Sequence, residues 1–229
     1  HLRRRRCRVE VFKPVATGCP RRRGGRASVE ADLLAAAAES RLSLAEIAPV
    51  RLGGHAPVNV AARRAGRTID PEALLAAYRH AAAGAEVIVV EATGGLLSPL
   101  TDAFWTVHFA RAIALPLVLV VEADAHALNR ALLTLHAALS AGLRVAGVVV
   151  NRYLPAPPGP GVETAGEGFD DAAEAVVETA AEQIAARGSV KVLGVVPVDR
   201  GNSVAAARIG RDTQFVIDQV DWRELSRSG

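Results

Sequence analysis

Residues 85–95 read Ala85-Glu86-Val87-Ile88-Val89-Val90-Glu91-Ala92-Thr93-Gly94-Gly95. The unbroken apolar run has strand length, and its lack of alternation marks a strand covered on both faces. It stops at a carboxylate followed by small residues and paired glycines. Similar valine-rich runs occupy residues 8–12, 116–121, 144–150 and 190–196. Between them lie alanine-rich stretches with helical spacing at 29–39, 71–83, 102–113, 127–140 and 171–186. Strands alternating with helices predict right-handed βαβ units, and so an α/β fold with a doubly wound, mainly parallel sheet and helices on both faces. Residues 1–229 are expected to form a single domain.

Local punctuation agrees. Asp70 before Pro71 and Glu72 is an N-cap with proline at the first helical position, and Gly142 and Gly188 stand where helices should stop. The proline- and glycine-rich stretch 155–168 reads as an excursion from the fold, since a helix and a strand follow it. No internal repeat is visible.

Composition excludes several classes. The longest apolar runs, 87–90 and 115–121, fall far short of the roughly 18 residues that span a bilayer. Cys7 and Cys19 have neither metal-ligand spacing nor the density of a secreted disulfide scaffold, so a reducing cytoplasm is the expected compartment. Net charge is only +3, and the arginine clusters at 3–6 and 21–23 lack interleaved aromatics, so they read as solvated surface and nucleic acid is not an expected partner. Of the 27 lysine and arginine residues only Lys13 and Lys191 are lysines. A lysine retained in so arginine-rich a chain suggests a site that needs a compact point charge instead of a planar fork.

In an open parallel sheet, ligands sit beyond the carboxyl ends of the strands. The first strand ends in Lys13-Pro14-Val15-Ala16-Thr17-Gly18, where proline leaves the lysine at the tip. Taken alone, Lys13 is more often a surface lysine at a turn. Glu91 follows an apolar strand directly, where a carboxylate is costly to bury unless it meets a cation or donors, and here the functional reading leads. Asp32, in Ser28-Val29-Glu30-Ala31-Asp32, is by itself only an acid near a helix start. Asn151 closes the fourth run, where an amide could offer donor and acceptor to a purine edge or simply sit in a turn. Pro197-Val198-Asp199 ends the last strand on the same rim.

In order along the chain, these segments resemble the dethiobiotin synthetase family, ATP-dependent ligases of biotin synthesis within the P-loop NTPase group. Lys13 to Gly18 is similar to that family's Lys-Pro-Val-x-Ser/Thr-Gly strand end, and Glu91-Ala92-Thr93-Gly94-Gly95 to its Glu-Gly-Ala-Gly-Gly loop. The similarity continues through Ser98-Pro99-Leu100, Leu128-Asn129 with Leu132-Leu133-Thr134, residues 147–151, and residues 194–197. Six spaced matches in the right order cover nearly the whole chain.

The resemblance implies a P-loop NTPase-like fold and a definite reaction. The diamine 7,8-diaminononanoate takes up CO2 as a carbamate, ATP phosphorylates it, and the second amine closes the ureido ring to give dethiobiotin. It also implies a homodimer. Carried over by residue, Lys13 would be catalytic, neutralising charge on the carbamate and the transferring phosphoryl, and Thr17 would contact substrate. Asp32 and Glu91 would hold Mg2+. Ala92, Thr93 and Gly94 would line the nucleotide site, with Asn151, Arg152, Pro197, Val198 and Asp199 framing the adenine of ATP.

The sequence also departs from that pattern. No Gly-x-x-x-x-Gly-Lys-Ser/Thr segment occurs in it, Val58 stands where the family has histidine, and Ala92-Thr93 replaces Gly-Ala. Ala125-His126-Ala127 likewise lacks the glycine expected before Leu128-Asn129. With His1 first and no methionine, the expectation is an amino-terminal truncation that removes one strand, loop and helix, leaving the chain alone inactive. A related amidoligase, a ParA-like ATPase and an inactive remnant are the alternatives.

Overall fold

The computed structural model describes residues 1–153 and 171–227, so the stretch 155–168 lies outside the described residues. A 3-10 turn (Arg3–Arg5) leads into β1 (Val9–Phe12), and Pro14 separates it from its continuation β2 (Val15–Ala16). A hairpin of β3 (Arg21–Arg22) and β4 (Gly25–Arg26) precedes α1 (Val29–Ala38), α2 (Leu44–Ile47), β5 (Val50–Arg51), α3 (Val58–Arg64) and α4 (Pro71–Ala82). Then come β6 (Val87–Val90), α5 (Thr106–Ile113), β7 (Leu117–Glu122), α6 (Ala127–Ser140), β8 (Val145–Tyr153) and α7 (Asp171–Gly188). The described chain closes with β9 (Val192–Pro197), α8 (Arg211–Asp218) and α9 (Trp222–Arg227).

The apolar runs pair in parallel, as α/β alternation demands. β1 pairs with β6, β2 with β5, and β7, β8 and β9 form a three-stranded sheet in that order. The sheet is interrupted: among the described residues, no ladder joins β6 to β7. The antiparallel β3–β4 hairpin is a separate surface feature.

Helices start where capping chemistry permits. Ser28, Ser43 and Asp70 accept backbone N–H bonds at the starts of α1, α2 and α4, and Ser43 with Glu46 completes a capping box. The helix expected over 102–113 begins only at Thr106, because Ser98 accepts from the Thr106 N–H and holds the preceding residues in a turn. Helices α2, α3, α8 and α9 escaped sequence reading; α2 and α3 are too short to display a periodic pattern.

The two faces of the sheet are covered unequally. On one face, Phe12, Ile88 and Val90 pack against α4 and α5 through Leu74, Tyr78 and Phe109, while Leu119, Val121, Val148 and Val150 pack against α6 and α7. On the other face α1 covers Val9 and Val11, and α8 seats Val216 against Gly194 of β9. Val89 and Val120, between those two helices, are 42% and 65% exposed.

Candidate active site

β1 and β6 run parallel with Phe12 opposite Val90, so Lys13 and Glu91 leave neighbouring strand ends together. Glu91 N–H donates to the Phe12 carbonyl at 2.9 Å, extending the ladder to the carboxylate. Lys13 N–H donates to the carbonyl of Ile47 at 2.8 Å, and Pro14 then turns the chain into β2. The lysine is thereby pulled inward and is only 2% exposed.

Its ammonium lies 2.9 Å from Glu91 Oε1 and 3.0 Å from Glu30 Oε2. The two carboxylates are about half exposed, 46% and 51%. A buried ammonium with two carboxylates satisfies the rule that buried charge is paired, and it leaves one net negative charge facing solvent. That is an opening for a cation.

The sequence placed Asp32 at this position, and the structure places Glu30 there instead. Both belong to the first turns of α1, but residues two apart on a helix point about 200° away from each other, so only one can face the lysine. Ser28 caps the Ala31 N–H, and the docking of α1 on β1 turns Glu30 inward to Lys13. Helical phase places Glu30 and Asp32 on opposite sides, but which side faces the lysine is set by how α1 docks on β1.

Smaller residues tie the rim together. Thr93 hydroxyl donates to the Val15 carbonyl, linking the loop after β6 to β2. Gly94 has φ +78°, and a Cβ there would lie 2.5 Å from Ser98 Oγ. Ala92 is exposed, and Thr17, just after β2, is half-buried. Gly18, at φ +67°, leaves room for the His55 ring, which a Cβ would approach to 2.6 Å.

A second group sits at the ends of β7, β8 and β9. β8 does not close at Val150 but runs to Tyr153 through a bulge, and Arg152 at φ 60° is the residue it re-aims. The Arg152 guanidinium meets Glu122 Oε1 at 2.9 Å, a partner absent from the sequence expectation. Asn151 is half-buried, and its carbonyl accepts from Ala123 N–H. Pro197 ends β9, and Val198 is 41% exposed with its N–H on the Tyr153 carbonyl. The Asp199 carboxylate accepts from Thr213 N–H at 3.0 Å and Gly201 N–H at 2.7 Å, and the Thr213 bond first and foremost holds its carboxyl below the ordinary range. Its charge serves the start of α8, so this carboxylate shapes the turn and is already occupied.

The donor set suits magnesium. Glu30 and Glu91 supply hard carboxylate oxygens, and among the described residues no group of three or more His, Cys, Asp or Glu could enclose an ion. Two carboxylates would leave waters and substrate phosphates to supply the other ligands of a magnesium ion. Cys7 and Cys19 are free and buried, and the Cys19 thiol donates to the carbonyls of Ala16 and Thr17. Among the described residues no helix is long and apolar enough to cross a membrane.

The chain is similar, at 14% identity, to the MinC:MinD cell division protein complex of Aquifex aeolicus, with 93% of this chain and 81% of that one covered and a TM-score of 0.49. A family model described as an AAA domain matches residues 2–203. The chain therefore belongs to that AAA domain family, which includes dethiobiotin synthetase-like P-loop ATPases.

Proposed function

We propose that this chain forms the body of an ATP- and magnesium-dependent ligase that converts 7,8-diaminononanoate and CO2 to dethiobiotin. The observation that carries this reading is Lys13, buried at a strand tip and shared by two carboxylates. Phosphoryl transfer needs little covalent help from the protein and much cationic charge held in place, which a lysine deprived of water supplies.

One amine of the diamine adds to CO2 and loses a proton, giving a carbamate. The carbamate oxygen takes the γ-phosphoryl group of ATP, releasing ADP. The second amine then attacks the carbamoyl carbon, the C–O bond to phosphate breaks, and the ureido ring closes. Lys13 stabilises the carbamate and the phosphoryl oxygens, and Glu91 and Glu30 orient its ammonium. Magnesium, held by Glu30 and Glu91, supplies charge neutralisation at the phosphates when bound. Thr17 and the Ala92–Gly94 loop line the substrate side, while Asn151, Arg152 and the 197–199 turn frame the base. A homodimer in the cytoplasm accompanies this reading.

The test uses the protein with a phosphate loop ahead of residue 1, natural or grafted. Dethiobiotin formation from diaminononanoate, bicarbonate and magnesium-ATP, followed by mass spectrometry, is the expected result. ATP turnover that ignores the diamine would instead favour a ParA-like switching ATPase.

A further inference from the structure

We propose that Arg26 and Arg51 form a carboxylate subsite, which holds the far end of the diamine acid whose amines react beside Lys13. This inference rests on the ligase reading and deepens it.

Among the described residues four arginines are half-buried: Arg3, Arg26, Arg51 and Arg223. Arg3 meets the Glu39 carboxylate, and Arg223 meets that of Glu86. Arg26 and Arg51 meet no carboxylate among the described residues. A charge withdrawn from water is ordinarily paired, and the planar fork of arginine matches a carboxylate. These two half-buried forks therefore lack the partner that the other two have.

The fold holds them side by side. β2 and β5 pair with Ala16 opposite Arg51, and the pairing continues beyond the strands. Leu52 N–H donates to the Ala16 carbonyl at 2.8 Å, and Cys19 N–H donates to the Leu52 carbonyl at 2.9 Å. Along this extended segment Arg51 and Gly53 are alternate residues, so their Cβ directions share one side. Arg26 fills that side of Gly53: a Cβ there would lie 2.2 Å from Arg26 Nη1 and 2.5 Å from its Cζ. Nη1 is fixed by donating to the Cys19 carbonyl at 2.8 Å. That bond occupies a single N–H of the fork and leaves others for a ligand. Two guanidinium groups on one side of one strand repel each other, and an anion between them removes the repulsion.

Position selects the occupant. Ala16, the partner of Arg51, follows Lys13 by three residues, so the arginine corner stands on the order of 10 Å along the chain from the lysine. Burial above all pushes the Cys19 thiol up, and of its charged neighbours Glu30 raises it further while Arg51 lowers it. Glu30, the partner of Lys13, and Arg51 thus both lie within electrostatic reach of one sulfur. Transferring phosphate belongs beside Lys13 and the acids around it. In the diamine acid an aliphatic tail separates the amines from the carboxylate, and a tail leading from Lys13 along β2 ends at Arg26 and Arg51.

The test crosses variants with substrates in the loop-bearing protein. Arg51→Gln should raise the KM for diaminononanoate about tenfold, with kcat within about twofold and the affinity for magnesium-ATP unmoved. The decarboxylated diamine, with the same two amines and tail, should show a similarly raised KM in the wild-type protein and be indifferent to Arg51→Gln. Arg51→Lys should restore only part of the affinity for the acid, since it keeps the charge without the fork. Arg26→Gln is the second variant and should give the same pattern. Arg22→Gln, exposed on the same hairpin, removes a screened surface charge and should stay within about twofold. Equal KM values for the acid and the decarboxylated diamine in the wild-type protein, or an Arg51→Gln variant that weakens both alike, would overturn the subsite and leave the ligase reading standing. Weakened ATP binding would assign these arginines to nucleotide phosphate and overturn it as well. No dethiobiotin from the wild-type protein would remove the ligase reading, and the subsite with it.

Discussion

The Lys13 ammonium donates to Glu91 Oε1 at 2.9 Å across adjacent parallel strands whose last register pair is Phe12 with Val90. Seventy-eight residues of sequence separation vanish because the register brings both strand ends to one rim. A one-residue slip would turn the strand's side chains to the opposite face, so the pair depends on the ladder beneath it.

Glu30, not Asp32, is expected to matter at this rim. In the loop-bearing protein, Glu30→Gln should weaken magnesium-nucleotide binding by about tenfold, the loss of one charge-assisted contact, whereas Asp32→Asn should stay within about twofold. Calorimetric titration of both variants checks it, and equal losses would remove Glu30 from its place.

Replacement of Lys13 should be felt in activity and in stability. Lys13→Ala should lower turnover by about 100-fold, as removal of one preorganised electrostatic group does, with a smaller effect on ATP affinity. Lys13→Arg should restore only part of it, since the fork does not fit a point-charge site. Urea denaturation should show Lys13→Ala about 1–3 kcal/mol less stable, below the cost of breaking a fully buried pair because both carboxylates are half exposed.

Residues 1–229 alone should not hold magnesium-ATP at micromolar concentration. They contain no Gly-x-x-x-x-Gly-Lys-Ser/Thr segment, and Lys13, Glu30 and Glu91 cannot substitute for its row of backbone donors. Calorimetric titration measures this directly; micromolar binding with diamine-dependent ADP release would require a phosphate site elsewhere.

Gly210→Ala should loosen α8. A Cβ at that position would sit 2.0 Å from Asp199 Oδ2, and the carboxylate cannot retreat without releasing the N–H groups of Gly201 and Thr213. An overpacking cost of about 1–3 kcal/mol is expected, read from thermal or chemical unfolding.

Acid should destabilise the fold through identifiable carboxylates. Ser43, through its hydroxyl and N–H, and then His80 hold Glu46 down to about 2, against an ordinary value of 4.5. Arg4 lowers Asp218, and the Arg8 N–H lowers Glu86. Folded values below unfolded ones mean that the stabilisation is complete above the unfolded value and is lost as pH falls through the folded one. For Glu46 that window runs from 4.5 down to about 2. Melting temperatures should therefore decline through that range, and a flat profile would contradict these contacts.

Strand and helix alternation and the capping of α4 at Asp70 were legible from local pattern, whereas the Lys13–Glu91 rim was legible only through the strand-end rule and the family resemblance together. Apolar run length, proline, glycine and capping residues act within a few positions, so a sequence displays them openly. Helix α2 carries only its Ser43–Glu46 capping box, and α3 and the β8 bulge at Arg152 carry no such local signature. The bulge is imposed by the register mismatch between β8 and β9, and the end of α2 is fixed to β1 by the Lys13 N–H on the Ile47 carbonyl.

Composition and spacing were enough to predict an α/β chain with a parallel sheet, which the structure has. Which acid meets Lys13, and whether the sheet closes, depended on longer-range geometry. Glu30 and Asp32 differ by two positions in the sequence but by about 200° on the helix, and only the docking of α1 on β1 turns one of them inward. Likewise Val89 and Val120 read as strand core, because an apolar run announces that it will be buried without saying by what. Burial is a property of the partner as much as of the strand, and between β6 and β7 the described residues provide none.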